Sequence, residues 1–203
     1  MNYVDYTIDI YYRPVCVMKK TVDECVAILR KGGIILYPTD TIWGIGCDAT
    51  NEEAVARIYR IKNREDSKSL ISLVDSFDMI SGYVRNIPSM AEPLIQVSDK
   101  PLTIIYPRVE GLAPNLIAPD GTAAIRVVSN EFCQRVIARL GKPIVSTSAN
   151  ISGATSPAGY NEIPRQIRDL VDWIADPRFE GESTHKASSI IKLGIGNEVE
   201  IIR

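Results

Sequence analysis

No apolar run in this chain is longer than a few residues, and nearly all are closed off by glycine, proline or a helix-capping residue: GGIILYP, SLISLVD, PLTIIYP, TAAIRVVSN and KPIVSTSAN. Runs of that length suit strands buried inside a sheet. Amphipathic helical segments lie between most of them, and in places one strand follows another directly. The chain is therefore expected to be an α/β (mixed α+β) protein, a twisted mixed sheet flanked by helices with a concave cleft.

The helical signals are local. Thr21 and Glu24 form a T-x-x-E capping box, and Val22, Cys25, Val26 and Leu29 recur at helical spacing before Gly32 and Gly33, which predicts a helix over 21–30. A strand over 34–37 follows, Pro38 breaks it, and 41–47 resumes as a second extended piece. This puts PTDT at a strand-to-strand bend. Thr50 and Glu53 repeat the capping box ahead of a helix with Val55, Ile58 and Tyr59 on one face. Strands are expected over 69–74, 102–106, 122–128, 173–175, 188–193 and 198–202. Helices are expected from 75, over 90–97, after the cap Asn130 with Cys133, Val136, Ile137 and Leu140 inward, and over 161–170. No repeat, low-complexity tract or long linker divides the 203 residues, so one domain over 1–203 is expected.

A net charge of -2 argues against whole-molecule attraction to nucleic acid, although a local basic groove can sit on such a chain. Cys16, Cys25, Cys47 and Cys133 are scattered without a C-x-x-C pair, as expected of buried thiols in a reducing compartment. The N-terminus has neither a basic nor an apolar targeting region, and no run approaches the roughly 18 apolar residues of a membrane span. These features point to a cytoplasmic protein without a membrane partner.

Three segments carry polar chemistry. IKNREDSK places Lys62, Arg64 and Lys68 at and beyond a helix end, either as solvated charges or as a polyphosphate clamp that needs the chain to leave the helix near Arg64. GTAAIRVV places Arg126 within a strand, either facing water or aimed into a cleft as a bidentate carboxylate partner, with Thr122 and Ala124 on the same face. STSANISGATSP, 146–157, is either a loop of turn formers and caps or a cradle of hydroxyls and backbone N–H groups at a strand end. Walker, G-x-G-x-x-G and G-x-S-x-G motifs are absent. His185, the only histidine, has no metal-ligand cluster around it and is not expected to serve as a base.

In order, GGIILYPTDTIWGIG, IKNR, PLTIIYP, TAAIRVVSN and PIVSTSANISG resemble the YrdC/Sua5/YciO family of threonylcarbamoyl-AMP synthases, in its short single-domain form. The resemblance runs from about Val22 onward, and its motifs are specific as a set. It implies a YrdC-like fold and formation of threonylcarbamoyl-adenylate and pyrophosphate from L-threonine, bicarbonate or CO2, and ATP with Mg2+. The product would pass to a downstream threonylcarbamoyl-transferase complex that modifies tRNA. It further implies that Thr41, Arg126, Ser146 and Ser188 contact threonine. Arg64, Lys68, Thr122, Ser148, Ser156 and Arg203 would contact the nucleotide, with Lys62 and Asn150 completing the catalytic K-x-R and S-x-N signatures alongside Arg64 and Ser148.

The chain departs from the pattern at Glu65 and Ser69, where members often carry proline, and at Leu73, where some carry a histidine. Two other readings fit the same segments. One is a YciO-like paralogue; the other is a double-stranded-RNA or tRNA-binding module that gains nothing from threonine.

Overall fold

The computed structural model describes residues 6–63, 70–151 and 153–203, with side chains from residue 17 onward. Among the described residues nine strands form one twisted mixed sheet: β1 (Ile35–Tyr37), β2 (Gly44–Gly46), β3 (Ile71–Val74), β4 (Leu102–Tyr106), β5 (Ala123–Val127), β6 (Ile144–Ser148), β7 (Trp173–Ile174), β8 (Ser189–Leu193) and β9 (Val199–Ile201). Their order across the sheet is β7-β1-β2-β6-β3-β5-β4-β8-β9. Helices α1 (Tyr6–Arg30), α2 (Glu52–Ile61), α3 (Phe77–Ile80), α4 (Ala91–Val97), α5 (Glu131–Leu140) and α6 (Arg165–Asp169) flank it.

Most of the expected strands and helices are present, and the differences have local causes. The first helix does not begin at Thr21. It runs from Tyr6, and the Thr21 hydroxyl donates back to the Val17 carbonyl instead of capping a helix start. The cap of α2 is Asn51, whose side chain accepts from the Ala54 N–H; the Thr50 hydroxyl is already committed to Asp48 Oδ1 at 2.7 Å. The stretch 161–170 is not one helix. Pro164 separates a 3-10 turn at Tyr160–Glu162 from the short α6.

The remaining caps explain how the core closes. Asn130 accepts from Cys133 N–H at the start of α5, and Gly141 ends that helix in the left-handed region at φ 75°. Phe132, Cys133, Val136, Ile137 and Leu140 are buried on its inner side, and Phe132 stacks between Trp173 and Phe179. Cys25, Cys47 and Cys133 are free buried thiols, all held protonated by burial.

Register fixes which side chains share a face. Ser146 pairs with Ile71, Ile71 with Ala124, and Ala124 with Ile105, while Leu73 pairs with Arg126. Side chains two apart along a strand and those of cross-strand partners lie on one side. Ser146, Ser148, Ile71, Ala124 and Arg126 therefore belong to one side of the sheet, with Gly44 paired to Ser148 at its margin. A Cβ at Gly44 would sit 2.9 Å from Ser146 Oγ, so glycine there keeps that hydroxyl uncovered.

Candidate functional site

On this side of the sheet Thr41, Arg126, Ser146, Ser148, Ser156, Ser188 and Arg203 line one cavity of about 180 Å³ together with Ile71. Six stretches supply them: the β1–β2 bend, β3, β5, β6 with its following loop, the approach to β8, and the residues after β9. A second cavity of about 440 Å³ adjoins it, with Leu70, Ile105, Leu116 and Ile190 making an apolar wall. Thr122 opens onto this second space, and Ile71 and Arg203 border both. The first is walled mainly by hydroxyls and guanidinium groups, the second mainly by hydrocarbon.

Arg126 is only 3% exposed, which rules out the solvated alternative for it. Its Nη1 donates to Asp40 Oδ1 at 2.8 Å, a pair buried at both ends. Asp40 Oδ2 accepts the Ser129 N–H and hydroxyl at 3.1 and 3.2 Å. Arg126 Nε is buried without a partner while the residue lines the cavity. An unpaired buried guanidinium N–H is costly, so its chemistry calls for an acceptor from outside.

The side chain of Lys62 does not reach outward as a clamp would require. It is fully buried, and its Nζ donates to Ser148 O at 2.6 Å, Asn150 O at 2.6 Å and Asn150 Oδ1 at 2.8 Å. Three acceptors meet the three N–H bonds of an ammonium. Lys62 thus pins the loop after β6 to the end of α2, and the same ammonium lies 3.4 Å from Ser148 Oγ on the cavity wall. Asn150 continues the pin through its Nδ2, which donates to Ala154 O. Ala149 N–H donates to Trp43 O, and the Trp43 ring packs on Tyr160 at 5.2 Å, beneath the Arg168 guanidinium. The loop is thereby a built cradle. Arg64 and Lys68, the other expected clamp members, lie outside the described residues, as do Glu65 and Ser69.

Residues 183–188 strap the bend at 38–41. Ser183 Oγ donates to Thr41 O and Thr184 N–H to Asp40 O. His185 Nδ1 lies 2.8 Å from Ala158 O; because a carbonyl only accepts, that nitrogen carries the proton. His185 is a tie between two loops. Ser188 Oγ shares a hydrogen bond with Thr103 Oγ1 at 2.7 Å, and its carbonyl accepts from Arg203 Nε and Nη2. Thr41 Oγ1 is paired with Thr39 Oγ1 at 2.8 Å. Thr122 donates its hydroxyl to Asp120 Oδ1 at 2.7 Å, so toward the apolar cavity it can only accept. That bond, followed by one from Lys192, holds the Asp120 carboxyl down to about 2.

Asp40, Ser129 and the strap are the parts that sequence reasoning did not single out. The signal available was an acid between two threonines, beside a strand arginine that would need a partner if buried.

Sheet, cradle and paired cavities together define an α/β protein with a small polar pocket beside a larger, mainly apolar one. The chain belongs to the Sua5/YciO/YrdC family, whose pattern, described as telomere recombination, matches residues 27–203. It is similar to the threonylcarbamoyl-AMP synthase of Idiomarina loihiensis, at 34% identity over 74% of this chain and 83% of that protein. It is also similar to that of Pseudoalteromonas translucida, at 30% identity over 81% and 90%.

Among solved structures it resembles Pyrococcus abyssi Sua5 complexed with L-threonine, with TM-score 0.75 and 30% identity over 85% of this chain; it spans about half, 50%, of that protein's length. It resembles Escherichia coli YciO at TM-score 0.76 and 25% identity, over 91% of this chain and 88% of that one. The fold therefore does not by itself distinguish the two branches; the names of the curated relatives favour the synthase.

Proposed function

We propose that this chain is an L-threonylcarbamoyladenylate synthase, a nucleotidyltransferase that joins L-threonine, CO2 or bicarbonate and ATP. One observation carries the reading: a hydroxyl-lined pocket with an unpaired buried arginine N–H sits directly beside an apolar cavity, and Arg203 borders both. An amino acid whose carboxylate meets Arg126, with hydroxyls of Thr41, Ser146 and Ser188 around it, fits the first. A nucleoside fits the second, with Thr122 accepting a bond from it and its phosphates passing Ser148, Ser156 and Arg203.

In this reading the threonine amine adds to CO2 and loses a proton, giving a carbamate. A carbamate oxygen then attacks the α-phosphorus in line, and the bond to the leaving pyrophosphate breaks. Ser148, held by the Lys62 and Asn150 pin, orients the phosphates, and Arg64 and Lys68 neutralise charge on them. Positioning and charge neutralisation carry such a displacement without a protein nucleophile, so none need be sought. Mg2+ would arrive with ATP, held by phosphate oxygens and water. The adenylate would be handed to a threonylcarbamoyl-transferase complex acting on tRNA.

The test is release of pyrophosphate from ATP, measured with and without threonine and bicarbonate. Dependence on both is expected. Release with neither, or tight salt-sensitive RNA binding with no turnover, would sink the synthase reading.

A further inference from the structure

We propose that Asp40 is a positioning residue that sets the carboxylate preference of the cavity by fixing the direction of the Arg126 guanidinium. The inference rests on the reading of the cavity as an amino-acid site and adds a residue that never faces it. Asp40 is 5% exposed and does not line the pocket that Arg126 lines. It borders a separate cavity of about 290 Å³ behind, together with Ser129 and Gln134. The buried pair is a partition with the arginine on one side and the acid on the other.

The Asp40 carboxylate accepts three hydrogen bonds and uses both oxygens doing so. Oδ1 holds Arg126 Nη1, and Oδ2 holds the N–H and hydroxyl of Ser129, the second residue after β5. Its own carbonyl takes Thr184 N–H from the strap. A carboxylate anchored at so many points is held in place, and it restrains the guanidinium bonded to it at Nη1. What remains is the edge carrying Nε, the unpaired buried donor, and a guanidinium edge matches a carboxylate with two parallel bonds.

The pair also cancels the arginine charge before any ligand arrives. Preference for a carboxylate then comes from where the N–H bonds point rather than from net positive potential. This separates the proposal from a purely electrostatic or purely structural role, because the two ideas give opposite signs for the same variant. Asp40→Asn leaves one oxygen to serve three donors and frees the guanidinium, while making the pocket more positive. If direction governs, carboxylate preference falls; if charge governs, it rises.

The measurement is calorimetric affinity of the full chain for L-threonine and for L-threonine amide, which lacks the anionic carboxylate. Wild type is expected to prefer threonine strongly. In Asp40→Asn that preference should drop roughly 10- to 100-fold, the loss of one well-directed charge-assisted bond, with ATP affinity within about 3-fold of wild type. A preference that is unchanged or increased in Asp40→Asn overturns the proposal while leaving the threonine site standing. Wild-type chain that binds neither compound overturns the amino-acid reading and this inference with it. Should Asp40→Asn fail to fold, Ser129→Ala decides: it removes one anchor of Oδ2, and the preference should fall by about 2- to 5-fold. Unaltered preference in folded Ser129→Ala would then count against Asp40.

Discussion

Replacing Lys62 by methionine keeps an unbranched apolar stem, one atom shorter, and removes three N–H donors. Ser148 O, Asn150 O and Asn150 Oδ1 lose partners at 2.6, 2.6 and 2.8 Å. Three bonds from a charged donor at about 1.5–3 kcal/mol each would sum to roughly 5–9 kcal/mol. The wild-type ammonium, however, bears a desolvation cost of several kcal/mol that methionine does not, so the net loss should be nearer 3 kcal/mol, the low end for breaking a buried charged contact. At about 2–4 °C per kcal/mol for a chain of this size, Tm should fall by roughly 6–12 °C.

The loss should also show in ligand binding, because the bonds hold the cradle rather than the core. Thermal unfolding followed by circular dichroism, with threonine and ATP affinities measured well below Tm, tests both parts. A Lys62→Met chain that melts within about 2 °C of wild type and binds both ligands equally well would refute the pin.

Gly46→Ala should cost about 3 kcal/mol, since the added Cβ would lie 2.0 Å from Val145 O and 2.8 Å from the Tyr37 ring, neither able to yield; Gly159→Ala, with nothing near its Cβ, should stay within about 0.5 kcal/mol in the same denaturant titration. Asp120 sits at about 2, below its ordinary 3.8, so its contribution to stability is complete above the ordinary value and is lost as pH falls through about 2. Comparing Asp120→Asn with wild type across acid unfolding should show the difference shrinking below about pH 4, and a gap that persists at the acid end would contradict it. Threonine should exceed serine, and serine valine, in pyrophosphate release: a missing methyl costs roughly 10–200-fold and a missing bonded hydroxyl more. Valine matching threonine would exclude a hydroxyl-reading pocket.

The strands were legible because apolar runs closed by glycine or proline leave few alternatives, and β4 follows its sequence signal over all of Leu102–Tyr106. Strand periodicity also placed Thr122, Ala124 and Arg126 on one side, and the structure spreads those three across the two neighbouring cavities. What could not be read was the partner of each charge. Lys62 at a helix end looks the same whether its ammonium meets water or three carbonyl-type oxygens 86 to 88 residues away. Asp40 within PTDT likewise does not show by itself which of the chain's arginines its carboxylate meets, and the partner enters 86 residues later. Capping boxes misled at Thr21 and Thr50 for a related reason: the hydroxyl had a competing acceptor nearby, Val17 O in one case and Asp48 in the other.

The interleaved strand order has a consequence for how the protein is made. β3 lies between β5 and β6, and β2 reaches it only across β6, so strands from the first third of the chain wait for partners synthesised much later. Thr41 emerges from the ribosome with neither Arg126, Ser146 nor Ser188 in existence, and the buried acid beside it has no arginine to meet. During that interval the early strands present unpaired edges, and their pocket is a set of isolated polar groups. Ligand binding should therefore appear in one late step, when β8 docks beside β4 and the strap closes on the bend, with a folding rate set by these distant pairings rather than by the helices.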